Sequence, residues 1–451
     1  MNHFRRGLGS AILLITLWCV AVPFATTIFY ALTDKGLRSS VPSKFAMRLH
    51  QSVSEQLPRY VAERIASGKA MTLGPALIEA TEWPVYGAFF YLLATENLHQ
   101  DWAAGAFPDS RDPALSGAPA IDASLRIILD EGHAHWVKEY WGENYLTEPN
   151  CFYRMLVIGS LTAHHNLTGD TAHLPLLRQL TDDLAADIDA SPFGLVDDYP
   201  GQCFPADVAV AIAMIRHADT ALATDRREWS EHALARLLAN FSGALPSYTS
   251  SASSGHALTP SRGCTNGFFF TFARHIDRAT ADVLYANYVE RFWQKTSLAS
   301  GWREFPNDLR GVDDSRTYLD PDSGPVVGGF GTSATGLGLG AARLHGDHQR
   351  AGELGAQLIV TSLPFPNGHL FVPSLVGNRQ HAPYFPELVI LHQLSLSTSG
   401  PAPGNASLPW SVWLVLAVEF TVGVLLLRFA YHLARPRAKK FKSQPEDAAP
   451  C

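Results

Sequence analysis

The stretch 164–177, HHNLTGDTAHLPLL, decides the fold class, because it contains a complete junction between two helices. Gly169 can adopt the left-handed conformation that ends one helix, and Asp170 can cap the start of the next. The same device recurs as Gly346 and Asp347 in the stretch ARLHGDHQRAGEL. Tight junctions of this kind predict antiparallel helix pairs.

Helical periodicity recurs through the central part of the chain, and alternating β patterns are nearly absent. We predict helices over 45–66, 75–96, 119–140, 151–168, 173–190, 205–219, 227–241, 265–274, 278–297, 331–345, 349–361 and 385–397. About six helix pairs in succession predict an all-α fold, an (α/α)6 toroid whose loops at one end line a central funnel. Three connections are too long to be simple links, so we expect function there: 191–204, 242–264 and 298–330.

An apolar run lies near the start of the chain. Residues 7–33 include no charged side chain, and 11–32 are long enough to span a bilayer. Arg5 and Arg6 precede the run, which keeps the N-terminus cytoplasmic by the positive-inside rule. The alternative is a cleaved signal peptide, but the run is longer than a signal sequence needs and contains Pro23. The sequence therefore favours an uncleaved anchor.

A second apolar run, 408–427, has Trp410 and Trp413 at one end and a basic cluster at the other. This arrangement predicts a span with a cytoplasmic C-terminus, so the intervening domain lies outside the inner membrane, in the periplasm. The predicted boundaries are 1–33 for the N-terminus and first span, 34–407 for the main domain, 408–430 for the second span and 431–451 for a basic cytoplasmic tail. Glu419 lies mid-span, and we expect it to be protonated and bonded to a threonine such as Thr26 or Thr27.

Composition excludes several classes of protein. The net charge of −7 provides no basic surface for nucleic acid. The five cysteines form no CxxC pair, and no histidine spacing suits a metal, so neither a metal site nor a metal cofactor is expected. Phosphate-loop, dinucleotide and GxSxG motifs are absent, so we expect no cofactor. Homo-oligomerisation is compatible with these features.

The stretch from 143 to 219, ENYLTEPNCFYRML…IRHAD, resembles the linalool dehydratase-isomerase family. Asn150, Tyr153 and the pair Thr168-Gly169 fit the first motif of that family, with Arg154 where the family has another base. Ser191-Pro-Phe-Gly-Leu-Val and Gln202-Cys203 fit the second. Weaker agreement extends through Ser247-Tyr248 and DPDSGPVVGGFGTSATGLGLGAARLHGD, so the similarity covers much of 145–350.

The resemblance implies an (α/α)6 barrel and a catalytic pair of cysteines near the substrate hydroxyl and double bond. One of these positions falls on Cys203, whereas the other falls near Asp197. The active-site histidine of the family falls on Leu156, and its early acidic residue has no clear match. The catalytic residues of the family therefore carry over only in part, so the resemblance implies the fold and does not by itself imply alkenol dehydration.

The motif DDYPGQCFPADV is the first candidate site, because Asp197 and Asp198 precede Tyr199 and Cys203 just before a helix start. A helix dipole would favour the Cys203 thiolate, and a partly buried carboxyl with a raised pKa could act as an acid or base. The alternative is structural: Asp198 and Asp207 cap the turn, and Cys203 is packed.

Other candidates lie in three segments. In TEPNCFYRM, Glu148, Tyr153 and Arg154 begin a helix, although Glu148 could serve only the helix dipole. The 301–330 loop is rich in acids that suit glycosidic acid/base chemistry, calcium or plain solvation. We assign catalysis to Cys203, Asp198, Tyr153 and Asp322, and substrate binding to Glu148, Arg154, Asp197, Tyr199, Tyr248, Arg262 and Glu304.

The leading functional hypothesis is a membrane-anchored, periplasm-facing enzyme of the lyase or isomerase type. It would dehydrate or isomerise a small or lipid-like hydroxylated substrate by acid/base chemistry, with possible assistance from a cysteine. One alternative is a carbohydrate-processing enzyme of the envelope, which rests on fold analogy and the acidic loop. The other is a non-catalytic envelope scaffold or binding protein.

Overall fold

The computed structural model describes residues 2–309, 317–320, 323–377, 380–398 and 407–434. The chain is mostly helical, as the periodicity predicts. The α-helices are α1 (Asn2–Thr16), α2 (Val22–Thr33), α3 (Lys44–Ala66), α4 (Ile78–Thr81), α5 (Trp83–Ala103), α6 (Pro113–Ser116), α7 (Ala118–Ile128), α8 (His135–Trp141), α9 (Cys151–Thr168), α10 (Leu174–Ala190), α11 (Pro205–His217), α12 (Asp219–Leu222), α13 (Arg227–Ala239), α14 (Gly263–Phe272), α15 (Arg278–Phe292), α16 (Thr332–Leu344), α17 (His348–Ser362), α18 (Phe371–Val376), α19 (Phe385–Ser395) and α20 (Trp410–Ala434).

The observed helices differ from the predicted ones where the structure interrupts or ends a predicted helix. A turn at residues 129–134 separates α7 from α8, where one helix was predicted, and Glu82 separates α4 from α5. The helix predicted over 278–297 ends at Phe292 and continues into a β-hairpin. Among the described residues there are two small antiparallel sheets: β1 (Trp293–Lys295) with β2 (Ser300–Trp302), and β3 (Tyr318–Asp320), β4 (Gly324–Val327) and β5 (Phe330–Gly331) in that order.

Six helices, here called the core helices, contact one another in sequence. They are α5, α9, α11, α14, α16 and α19, and each contacts the next, while α19 also contacts α5. A second helix packs outside each part of this series: α7 on α5 and α9, α10 on α9, α13 on α11, α15 on α14, α17 on α16, and α3 on α7 and α19. Core and outer helices alternate along the chain.

Sequence pattern explains which helices are inside. In α9 every residue from Cys151 to His164 is buried, which fits a helix that is apolar around its whole circumference. In α10 the buried residues are confined to one stripe, which includes Leu177, Leu184 and Ile188, and charged residues occupy the other faces. The core helix α9 therefore buries all its sides, whereas the outer helix α10 buries one.

Two helical segments are long and apolar enough to cross a membrane: Gly7–Thr33, which joins α1 and α2 through a π-helical turn, and α20. They pack against each other and run antiparallel. Gly9 lies against Ala434, Val20 lies against Gly423, and the rings of Phe24 and Phe420 are 6.0 Å apart. Because residue numbers rise along one helix as they fall along the other, both ends of the chain leave this pair on the same side.

The hydrogen bond expected between Glu419 and a threonine of the first apolar helix is not present. Thr26 Oγ1 donates to Val22 O at 2.9 Å, which is a bond within its own helix. Thr27 Oγ1 and Glu419 Oε2 are both buried, and neither makes a hydrogen bond within the described part of the chain. The prediction was wrong for Thr26, because helical hydroxyls bond readily to the carbonyl four residues earlier; the structure gives no such explanation for Thr27.

The junction between the first apolar helix and the main domain is held by Arg343, near the end of α16. Its fully buried guanidinium donates to four backbone carbonyls: those of Gly36, Ser39, Val41 and Leu396. Burial lowers the pKa of Arg343 to about 10, and Asp34 and Asp101 partly oppose this. A single side chain thus fastens the connector over 36–41 to a core helix.

An ion pair links α5 to α11, and it predicts a pH dependence of stability. His217 Nε2 lies 3.0 Å from Glu96 Oε1. Burial opposes the charge on His217, but Glu96 raises its pKa above 6.5 overall. The pKa of Glu96 is lowered from 4.5, because His217 and Asn166 outweigh the effect of burial. The contribution of His217 is complete below its unfolded pKa and is lost as the pH rises through the folded one. The contribution of Glu96 is lost as the pH falls through its folded pKa.

We therefore expect the pair to stabilise the fold most between about pH 4.5 and 6.5. The free energy of unfolding of the wild type, measured by thermal unfolding, should fall by about 1–2 kcal/mol from about pH 6 to about pH 9. The Glu96→Gln variant should not show this decrease. Parallel curves for the two proteins over that range would contradict this assignment. His135→Gln is a suitable control, because His135 pairs with a different carboxylate, Glu139.

Candidate active site

The first turns of the core helices meet at one end of the domain, here called the starting end. The ring of Trp83, at the start of α5, stacks on that of Phe385, at the start of α19, with centroids 4.7 Å apart. The ring of Tyr86 contacts Phe152 of α9 and Phe268 of α14. Helix starts carry unpaired amides and a positive dipole end, so this end of the domain suits negatively charged groups.

Asp198 lies between two of these helix starts. The amide of Phe204, just before α11, donates to Asp198 Oδ2 at 2.6 Å, and the amide of Phe152 in the first turn of α9 also donates to this carboxyl. The side chain is 2% exposed, and its Oδ1 makes no hydrogen bond within the described residues. Burial, followed by the neighbouring Asp207 carboxylate, raises the pKa of Asp198 well above its usual range. Burial and Asp207 thus favour the neutral form of Asp198, against the effect of its two amide donors.

Asp207 lies in the first turn of α11, and its carboxyl group affects the pKa of several surrounding groups. Besides Asp198, it raises the pKa of Tyr86, Tyr199 and Cys203, in each case after the larger effect of burial. Two neighbouring carboxyl groups, one of which has a raised pKa, are an arrangement that can separate the acid role from the base role.

Two phenols and a glutamate complete this group. Tyr199 donates its hydroxyl to Glu82 Oε1 at 2.7 Å, which joins the 191–204 loop to the residue before α5. Burial, followed by the Glu82 carboxylate, raises the pKa of Tyr199 well above 10. The pKa of Tyr86 is also raised well above 10, first by burial and then by Asp207, Cys264 and Glu82. Both phenols are therefore neutral hydrogen-bonding groups.

Aromatic rings form the apolar part of the starting end. The ring of Tyr86 lies within 6.2 Å of five others: those of Phe89, Phe90, Phe152, Phe268 and Phe385. Tyr199 likewise contacts Trp136, Tyr140 and Phe204. A substrate at this position would meet a carboxylic acid, a carboxylate and phenol hydroxyls surrounded by apolar rings.

A second ionic cluster is built around Arg262 at the start of α14. Arg262 donates from Nε to Glu304 Oε1 at 2.6 Å, and one of its terminal nitrogens lies 2.9 Å from Asp320 Oδ2. Its guanidinium carbon lies 4.5 Å from the centre of the Tyr248 ring. Burial raises the pKa of Glu304, although Arg262 opposes this. Arg262 is thus occupied by two carboxylates and positions both of them, together with Tyr248.

Gly263 makes this cluster possible. A Cβ at this position would lie 1.9 Å from the carbonyl oxygen of Arg303, so only glycine allows α14 to begin against the 303–304 backbone. The amide of Gly263 donates to Glu304 O at 2.8 Å. The same contact places Cys264 Sγ 3.2 Å from Glu304 Oε1.

The prediction that Cys203 is a thiolate was wrong. Cys203 is fully buried, and its backbone pairs with Ser250 in both directions. Burial raises the pKa of its thiol well above 9, and Asp198, Asp197 and Asp207 raise it further. The desolvation of the sulfur and three nearby carboxyl groups outweigh the helix dipole that the sequence suggested. Cys19, Cys151, Cys203 and Cys264 are all free thiols.

Four predicted residues lie around the start of α9, and their side chains or backbone atoms bind other parts of the protein. Tyr153 donates its hydroxyl to Ile128 O at 2.8 Å. Arg154 is fully buried and pairs with Asp187 of α10 and with the Glu148 carbonyl. Asp197 Oδ2 accepts from the Gly201 amide at 2.9 Å. These contacts join α9 to α7, to α10 and to the neighbouring loops, and Tyr153 and Arg154 do not join the group around Asp198.

Sequence reasoning missed Glu82 and Tyr86 and treated Asp207 only as a cap. A usable signal was present, since Glu82 and Asp207 are acids at the start of apolar helices that begin with Trp-Pro and Phe-Pro. The fourth predicted catalytic residue, Asp322, lies outside the described residues. Within those residues, no group of three or more His, Cys, Asp or Glu side chains is arranged to hold a metal ion.

Comparison with known proteins adds no relative to this description. No family model matches the sequence, and no curated protein matches it.

Proposed function

We propose that the core and outer helices form an (α/α)6 toroid whose funnel opens at the starting end. The closed sequence of contacts among the six core helices and the regular alternation with outer helices support this. In this arrangement three segments surround the funnel: 191–204, 242–264 and 298–309. The sequence analysis expects function in these connections because of their length.

The proposed activity is acid/base catalysis on a small or lipid-like hydroxylated substrate, of the dehydratase or isomerase type. The observation that carries it is the buried Asp198 carboxyl, which is held between two helix starts near Asp207 and has a raised pKa. Asp198 would donate its proton to the substrate hydroxyl as the carbon–oxygen bond breaks and water leaves. Asp207 would accept a proton from the adjacent carbon, and a double bond would form between the two carbons.

The surrounding groups have defined roles in this proposal. Tyr199, oriented by Glu82, and Tyr86 would bind the hydroxyl through hydrogen bonds. The rings around Tyr86 would hold the hydrocarbon part and exclude water, which strengthens each polar contact. The resemblance to linalool dehydratase-isomerase sequences agrees with this chemistry, with carboxyl groups in place of the pair of cysteines.

Carbohydrate processing is the second candidate, and the acidic cluster beside the rings of Tyr248 and Phe305 favours it. Glu304 and Asp320 both bond to Arg262, however, so neither is a free acid or base in this structure. Glycan chemistry would require a substrate to displace the guanidinium from one of them.

Turnover by the purified full-length protein tests these alternatives. Wild type, Asp198→Asn and Glu304→Gln are incubated with pooled terpenols and, separately, with pooled envelope glycans. Terpenol conversion that depends on Asp198 supports the proposal. Glycan conversion that depends on Glu304 supports the second candidate. A well-folded wild type that converts neither pool would overturn both and leave the scaffold or binding role.

We also propose that the two apolar helices anchor the chain in the inner membrane with the main domain in the periplasm. The antiparallel packing of these helices agrees with the basic residues near both ends of the chain. A periplasm-dependent phosphatase reporter should be inactive when fused after residue 451 and active when inserted at residues 105–110, in the loop between α5 and α6. Activity in the opposite pattern would reverse the orientation.

A further inference from the structure

The segment after α17 is an apolar hairpin followed by a short helix. Pro364 and Leu370 form an antiparallel bridge, and the amide of Phe365 donates to His369 O at 2.8 Å. The chain then continues into α18. No Asp, Glu, Lys or Arg occurs between Glu353 and Arg379, although Pro366, Asn367 and Leu375 in this segment are exposed. Long uncharged surface segments mark contact with an apolar partner.

This hairpin touches the first apolar helix near its middle. The rings of Phe365 and Trp18 are 5.9 Å apart. Trp18 lies about 16 Å from Gly7 and about 22 Å from Thr33 along the helix axis, at about 1.5 Å per residue. A hydrocarbon layer of about 30 Å therefore includes Trp18 wherever it falls along this helix. If the helix spans the membrane, Phe365 lies at the depth of the lipid chains.

Several polar groups of the hairpin have partners within the protein, although Arg48, which supplies one of them, and Asn367 are exposed. The ring of His369 bonds to Ser374 Oγ at 3.1 Å. Arg48 donates from Nε to Pro366 O at 2.8 Å. Gly368 adopts a positive φ of 93° and packs against the Arg48 carbonyl, where a Cβ would lie 2.3 Å from the oxygen. Irregular backbone is tolerated in the membrane only with such partners.

Exposed apolar side chains continue from the first helix onto this segment. Trp18 is 63% exposed and Leu375 of α18 is 57% exposed. We propose that residues 363–376 form a third membrane element that inserts beside the two apolar helices, with phospholipid acyl chains as its partner. The inference rests on membrane insertion of those helices and is independent of the catalytic proposal. The main domain is then held in a fixed orientation relative to the bilayer, and the end of α17 is embedded in the bilayer.

Site-specific photo-crosslinking in phosphatidylethanolamine–phosphatidylglycerol vesicles tests this. The full-length chain carries Leu375→p-benzoylphenylalanine, and phospholipid adducts are measured by mass spectrometry. Leu425, 58% exposed on α20, is the positive control. Val283, 72% exposed on α15, is the negative control. We expect the adduct yield at position 375 to be within about threefold of that at 425 and at least about tenfold above that at 283.

The outcomes distinguish insertion of the third membrane element from insertion of the two apolar helices. Adducts at 425 but not at 375 would overturn the third membrane element and leave the anchor intact. Adducts at neither position would overturn membrane insertion itself. Neither result bears on turnover by Asp198. All three positions are exposed, so the substitutions leave the core unchanged and each variant reports on its own surroundings.

Discussion

Asp198→Asn is expected to abolish turnover while the protein stays folded. Asparagine keeps the shape of the side chain and an oxygen that accepts from the Phe204 amide, but it has no proton to transfer. Loss of a general acid typically lowers kcat by about 10²–10⁴-fold. Turnover of the substrate pool, measured for wild type and variant at equal concentration, gives this ratio. A variant within about threefold of wild type would remove Asp198 from the mechanism.

The same substitution has a second signature that requires no substrate. The folded pKa of Asp198 is raised, so its carboxyl favours the folded state at low pH, and this advantage is lost as the pH rises through that pKa. The asparagine side chain does not titrate, so we expect the variant to be at least as stable as wild type under mildly alkaline conditions. Infrared spectra should also lose one protonated carboxyl band. Asp197→Asn, at the more exposed neighbour, should keep that band.

Arg343→Leu is expected to cause the largest loss of stability. Leucine fills most of the space but leaves the carbonyls of Gly36, Ser39, Val41 and Leu396 without their donor. Breaking a fully buried charged network of this kind costs about 3–5 kcal/mol in the free energy of unfolding. Thermal or chemical unfolding of the detergent-solubilised protein measures this cost.

A matched surface arginine controls for the loss of charge. Arg59 is 84% exposed in its side chain and pairs with Glu63, one turn away. Arg59→Leu should leave the free energy of unfolding nearly unchanged. Equal effects of the two substitutions would show that the four carbonyls find other partners. Arg343→Lys should fall between them, because an ammonium group cannot reach all four carbonyls at once.

Local sequence signals predicted the helices well and the breaks poorly. Gly169 and Gly346 end their helices in the left-handed conformation, and Asp347 caps α17, as their positions indicated. The division at 129–134 was not predicted, since its single glycine is also compatible with a helix interior. Helix formation depends on neighbouring residues, whereas these interruptions are fixed by what the chain packs against.

The candidate site was predicted only in part, because it is assembled from distant segments. Asp198 and Tyr199 were found through their own motif. Their partners Glu82 and Asp207 were not, since nothing local indicates that residues 82 and 199 are neighbours. Burial reverses the expectation for Cys203, because a sequence shows the helix start but not the loss of water around the sulfur. The contacts of Tyr153 and Arg154 with Ile128 and Asp187 could not be predicted either, since helical spacing does not say which neighbours a helix face will meet.

The first apolar helix packs against α20, and the first core helix, α5, packs against the last, α19. Because Gly9 packs against Ala434 and α5 contacts α19, these contacts can form only after nearly the whole protein has been synthesised. Until then the nascent domain exposes the faces that its last two partners will cover. Such an intermediate is prone to aggregation and depends on chaperones. Truncation at the C-terminus should therefore impair the maturation of the whole molecule as well as remove an anchor.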